Sequence, residues 1–224
     1  MGDTKPISIS RLIAIPALIT LGVTILRLVG ELAHWPSPLF NAQPGGGGAL
    51  VGISWLPIVF GPYFALKLAE AGEGPASTGK AIGFALGSLL VFVAGGFLFA
   101  STINHPNFLT ALGLLLMLGS AFVPGLGWRS LGNTLVAYAF AARIPVLIVM
   151  YFAITGNGGA GWGTHYDGVP PALVHAPPLR RFFFAGVLPQ MTLWIGWTAV
   201  LGSIFGTVVT AIVRRKKPDA PAAV

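Results

Sequence analysis

The sequence predicts an all-α fold, a polytopic membrane helix bundle of about six transmembrane helices with both termini cytoplasmic. Three observations carry that expectation. Hydrophobic residues make up 54% of the 224-residue chain and charged residues only 8%, where a soluble domain carries roughly a quarter charged. Several apolar runs are long enough to cross a bilayer, which takes about 20 helical residues. Basic residues flank those runs mainly on one side of the expected topology, as the positive-inside rule requires. The whole chain, 1–224, is expected to form one integral domain of a cell inner membrane.

The first span is expected over 12–34. Ser10 can cap it, Pro16 bends it, and Trp35-Pro36 stops it at the membrane interface. Lys5 and Arg11 before an apolar run imitate a signal peptide. The run is too long for a cleavable core and no small-residue cleavage site follows, so an uncleaved span is expected. Residues 36–48 are too rich in Pro and Gly for regular structure.

The second span is expected over 49–69, kinked or broken where Pro57 and Pro62 each remove a helix hydrogen bond. Gly74, Gly79 and Lys80 then imitate most of a P-loop. Ala81 stands where Ser or Thr should hold magnesium, and the segment joins two spans instead of a strand and a helix, so that reading is excluded. The third span, 80–102, carries Gly83 and Gly87, then Gly95 and Gly96, all suited to close helix packing. A short turn around Asn104, His105 and Asn107 returns the chain as an antiparallel fourth span, 108–123.

Pro124, Gly125 and Gly127 mark the next turn, with Trp128 and Arg129 at the interface. The fifth span, 130–155, contains Arg143, two residues before Pro145, whose ring frees the Ala141 carbonyl as a possible guanidinium partner. A long outer loop, 156–181, follows, in which Trp162, His165, Tyr166 and Val174 are candidates for a lid. The sixth span, 182–213, carries Gln190, Trp194 and Trp197 and a second small-residue pair, Gly202 and Gly206. Arg214, Arg215, Lys216 and Lys217 close the chain.

Charge and cysteine usage bound the chemistry. Cytoplasmic termini put Lys5, Arg11, Lys67, Lys80, Arg129 and the basic tail inside, leaving Arg180 and Arg181 as the basic flank outside. The net charge of +7 is therefore distributed along span ends and forms no nucleic-acid patch, so the expected partner is the lipid bilayer and no nucleic acid. Cysteine is absent, which excludes disulfides and thiolate chemistry. No repeat relates the two halves, which argues against an inverted-repeat transporter.

The functional signal lies in the first span. Thr20, Thr24, Arg27, Glu31 and His34 recur at helical spacing and so share one face. At about 1.5 Å per residue, Arg27 lies roughly 22 Å along its span and Arg143 roughly 18 Å along the fifth, which puts the two at similar depth. Two cations then meet one anion, Glu31. Either Glu31 bridges both arginines, with threonines, Gln190 and freed carbonyls taking the remaining donors, or the surplus cation awaits an anion. The leading expectation is the second, because intramembrane ionisable residues mark function and a guanidinium matches phosphate and carboxylate. Its ligand-binding set is Arg27, Glu31, Arg143, Thr24, His34 and Gln190, lining an outward-facing polar cavity that binds or moves an anionic small molecule or lipid headgroup.

Two other classes compete with that non-enzymatic role. His34, His105, His165 and His175 all fall at the outer face with Asp167 and Glu31, as a membrane-embedded hydrolase or metalloenzyme would need. They are only weak metal candidates, since no H-E-x-x-H or comparable spacing joins them, and no cofactor is expected. Ser54 lacks the G-x-S-x-G context of a serine nucleophile. The third class is a structural subunit, with glycine-rich faces packing against a homo-oligomer or a membrane-complex partner.

Overall fold

A computed structural model of the chain describes residues 7–44, 48–103 and 105–215. Lys5, the glycines at 45–47, Asn104, the side chain of Arg215, Lys216 and Lys217 lie outside the described residues. The described chain is all-helical: α1 (Ile9–Leu32), α2 (Leu56–Glu70), α3 (Thr78–Thr102), α4 (Phe108–Ser120), a short α5 (Pro124–Gly127), α6 (Arg129–Gly159), α7 (Pro178–Arg181), α8 (Leu188–Met191) and α9 (Leu193–Arg215). A π-helical segment, Phe182–Val187, joins α7 to α8.

Among the described residues five stretches are long and apolar enough to cross a membrane: Ile9–Leu32, Thr78–Thr102, Phe108–Gly127, Arg129–Gly159 and Pro178–Arg214. The expected second span is shorter than 49–69. Helix α2 begins only at Leu56, with Pro57 in its first turn, and has 15 residues, about 22 Å against a hydrocarbon core of about 30 Å. Proline suits a helix start because the missing N–H is one that no helical carbonyl would have accepted. Residues 49–55 ahead of it are bends and turns.

The expected sixth span is also segmented. It runs as α7, the π segment, α8 and α9, with Thr192 (φ −118°, ψ −76°) breaking the rod between Gln190 and Trp194. Pro189 lacks the N–H that would continue the ladder through this region. Among the intended packing glycines the outcome is divided. Gly95 lies against Gly113 of α4, and Gly202 and Gly206 lie against Gly61 of α2, whereas Gly83, Gly87 and Gly96 face open space.

Helix α9 occupies the centre, packing on α2, α3, α4 and α6, while α1 leans mainly on α6 and α3 pairs with α4. Phe60, Phe64 and Leu68 of α2 interlock with Leu131, Leu135 and Tyr138 of α6 and with Ile195 and Ala199 of α9. Outward-facing Leu90, Phe97 and Leu115 remain largely exposed, as a lipid-facing surface would be. Five buried hydroxyls are satisfied locally: Ser88, Ser120, Thr134, Thr198 and Thr207 each donate to a carbonyl three or four residues earlier, so these residues need no partner in hydrocarbon.

At the α2–α9 contact the two backbones approach closely, because a Cβ at Gly61 would collide with the Gly202 carbonyl. Gly61→Val should therefore push the helices apart and lower stability by about 1–3 kcal/mol, the usual cost of overpacking. Thermal unfolding in detergent checks this, with Gly83→Val, which has open space, as the comparison that should melt near the wild type.

Candidate functional site: a buried arginine in a loop-capped cavity

The polar stripe of α1 forms as its spacing requires, up to Glu31. Thr20, Thr24, Arg27 and Glu31 are all buried. Thr20 Oγ1 shares a hydrogen bond of 2.7 Å with Tyr138 Oη on α6, which ties the stripe to the neighbouring helix. His34 departs from it. The helix ends at Leu32, and His34 turns into the left-handed region (φ 54°). There its N–H meets the Glu31 carbonyl and the Trp35 N–H meets the Gly30 carbonyl, which is a Schellman cap. The side chain is exposed and lies outside the cavity, so helix termination removes His34 from the expected ligand set.

Glu31 is the meeting point of three segments. Its Oε1 accepts from Arg27 Nε at 2.7 Å, and its Oε2 accepts the His165 backbone N–H at 2.8 Å. The His165 ring approaches the same carboxylate through Nδ1, at 2.6 Å from Oε1 and 2.8 Å from Oε2. Arg27 also donates to the Asn41 carbonyl at 3.0 Å, drawing the 36–44 loop over the helix end. Phe40 lies flat on Gly30, where any Cβ would strike its ring.

His165 reaches that depth because the segment after α6 folds inward. Gly158, Gly159, Gly161 and Gly163 have positive φ, a conformation that glycine adopts without steric cost. Asp167 binds its own loop, accepting from the Gly163 and Thr164 N–H groups and from the Thr164 hydroxyl. Tyr166 donates to the Thr24 carbonyl at 3.1 Å and stacks on His165. Trp162 packs on Gly156, while Val174 stays half exposed. The loop is thus docked on α1 through His165 and Tyr166, with Gly168 against Pro44 of the 36–44 loop.

These contacts enclose a cavity of about 1180 Å³, lined by Thr24, Arg27, Arg143, Gln190, His165 and Tyr166 together with many apolar side chains. Glu31 is not among the lining residues; it sits behind Arg27 and His165 and orients both. The structure therefore brings together five of the six ligand candidates around one space, Glu31 from the second row, and leaves out His34. The metal candidates scatter. His34, His105 and His175 are exposed at separate positions, His165 is on Glu31 and Asp167 is inside its own turn. Among the described residues no three His, Asp or Glu side chains gather as a metal would require.

Arg143 is the residue whose surroundings differ most from the alternatives drawn from sequence. Only 3% of it is exposed, and among the described residues no carboxylate pairs with it. One terminal nitrogen reaches Gln190 Oε1, at a long 3.5 Å, and the guanidinium carbon lies 4.7 Å from the centre of the Trp194 ring. Its Nε has no hydrogen-bond partner. Glu31 does not bridge the two arginines, and the Ala141 carbonyl is not an acceptor for Arg143 here. Trp194 was not legible as a site residue, although its position four residues after Gln190 puts both on one helical face. Comparison with known proteins brings no family model, no curated protein and no solved structure that matches this chain. The site stands on its geometry.

Burial holds the His165 imidazole below its ordinary value of 6.5, reinforced by the Arg27 charge and opposed by the Glu31 hydrogen bond and by Asp167. The ring is then neutral at pH 7, and the unfolded chain takes up a proton at a higher pH than the folded one. Its contribution to stability is complete above pH 6.5 and declines as the pH falls below that value. Thermal unfolding at pH 7.5 and 5.5 should show a loss on acidification that is smaller in His165→Gln.

Proposed function

We propose that this integral membrane protein binds or moves an anionic small molecule or lipid headgroup, held by Arg143 and Arg27 in the loop-capped cavity. The observation that carries this reading is the environment of Arg143. A guanidinium at the centre of a membrane helix costs about 2.5–3.5 kcal/mol on insertion scales, and among the described residues no carboxylate offsets it. A buried cation with an unpartnered Nε beside an open cavity is the donor set a phosphate or carboxylate would complete. Gln190 and the Trp194 face hold the guanidinium in place. Glu31 neutralises Arg27 and, through His165, fastens the loop above.

We read the topology as six crossings of a cell inner membrane with cytoplasmic termini. Helix α2 together with the non-helical 49–55 segment makes up the short second crossing. Irregular backbone at membrane depth is tolerated where it lines a cavity, and Ala49, Gly52, Ile53 and Ser54 do so. The basic flanks at Arg11, Lys67, Lys80 and Arg129 support that orientation.

The proposal predicts opposite effects of Arg143→Gln on stability and binding. Without ligand the variant should melt at or above the wild-type temperature, because a buried cation is removed from an imperfect site. Binding of octyl phosphate, measured by calorimetry on amphipol-stabilised protein, should weaken roughly 10–100-fold, the equivalent of one charge-assisted hydrogen bond of about 1.5–3 kcal/mol. Unaltered binding, or a large fall in melting temperature without ligand, would assign Arg143 to the scaffold.

A second reading, a membrane-embedded hydrolase, is favoured by the Glu31–His165 pair. A carboxylate that takes Nδ1–H leaves Nε2 as the basic nitrogen, which is how an imidazole is prepared as a general base. Hydrolysis of 4-nitrophenyl dodecanoate by the purified protein, abolished in His165→Gln, would favour it; a silent wild-type protein would leave the binding role.

A further inference from the structure

Resting on the anion reading above, we propose that the occupant is an anionic amphiphile. Its head is held between Arg143 and Arg27, and its hydrocarbon tail runs out between the π segment and the α3–α4 hairpin into the bilayer. The cavity has two unlike compartments. The guanidiniums, Gln190 and the rim of Thr24, His165 and Tyr166 form one. Phe99 of α3 and Ile103 just beyond it, Ala111 and Leu114 of α4, and Phe184 and Leu188 on the facing segment form the other.

A lone oxyanion would leave most of the space to something else. A water takes about 30 Å³, so a five-atom anion fills a small corner of about 1180 Å³. That volume also exceeds the roughly 300–1,000 Å³ of ordinary small-molecule pockets. The apolar compartment, left to water, would hold side chains that favour hydrocarbon.

The route for a tail follows from which elements are packed. The π segment leans on α6, α7 and α8. Across the cavity from it stand the far end of α3 and the start of α4, with Ile103 and Phe184 each about half exposed, at 45% and 48%. Phe184 lies within a stretch long and apolar enough to cross a membrane, and Ile103 directly follows another that ends at Thr102, so the gap between them opens toward the bilayer. Arg180 lines the same cavity, its guanidinium carbon 5.9 Å from the Phe184 ring centre, and so marks the rim with a third positive charge. The π turn is what presents Phe184 and Gln190 to this space; such turns recur at functional sites because they re-aim side chains.

The test is a series of ethyl, octyl and dodecyl phosphate, with octyltrimethylammonium as the cationic control, titrated into amphipol-stabilised full-length protein by calorimetry. The proposal expects dodecyl phosphate to bind at least roughly tenfold more tightly than ethyl phosphate, since each buried methylene adds favourable transfer, and expects no binding of the ammonium. Ala111→Trp, placed in the apolar gap at an exposed helix position, should bring dodecyl phosphate down to the ethyl phosphate level. Equal affinity for all three phosphates in the wild type would overturn the amphiphile while leaving an anion site. No phosphate binding at all, or equal binding of the ammonium, would overturn the anion reading and this one with it. The chain-length series uses unaltered protein, so the proposal stays testable if the tryptophan variant does not fold.

Discussion

A single buried carboxylate decides the electrostatics of this bundle. Glu31 has no exposed side-chain surface, and both of its oxygens are taken, by Arg27 on its own helix and by the ring and backbone N–H of His165. Buried charges persist only when paired and hydrogen-bonded. Because Glu31 satisfies that requirement for Arg27 and pulls in the loop, it is not available to Arg143. The docked loop above the cavity and the guanidinium left without a carboxylate inside it both follow from that one allocation.

The backbone is irregular in the places that serve this arrangement. Glycines with positive φ let the 158–163 segment turn inward, so that His165 and Tyr166 reach α1. The π turn and the break at Thr192 interrupt the last rod where Gln190 and Trp194 meet Arg143. The non-helical 49–55 stretch supplies cavity wall in place of a helical turn. Away from the cavity, α1, α3 and α4 are regular, and Thr20, Ser88 and Ser120 each donate to a carbonyl of their own helix. Departures from regular helix in a membrane need internal compensation, and here they cluster around one space.

Much of this was legible in the residue order, for reasons that separate local from tertiary information. The stripe from Thr20 to Glu31 follows from helical periodicity and the cost of charge in hydrocarbon, both local. The common depth of Arg27 and Arg143 follows from helix rise, and they do line one cavity. His34 was misplaced because a three-residue extrapolation crossed the helix end, where Ala33 and His34 form the cap. The second helix starts later than the apolar run 49–69 suggests, because residues 49–55 are apolar enough to read as helix whereas Pro57 fixes the start at Leu56. Glu31 and His165 are 134 residues apart, and no pattern along the chain announces such a pair. Gly83 and Gly87 have packing spacing with nothing packed on them, since spacing names a face and not its neighbour.

Under the proposed function Arg143 is a buried cation completed by a bound anion. Cryo-electron microscopy of the protein in nanodiscs made with native lipid tests it most directly. The account predicts non-protein density against the Arg143 guanidinium, continuing as a rod between Phe184 and Ile103. An empty or collapsed cavity, with Arg143 paired to Glu31 or to a backbone carbonyl, would contradict it.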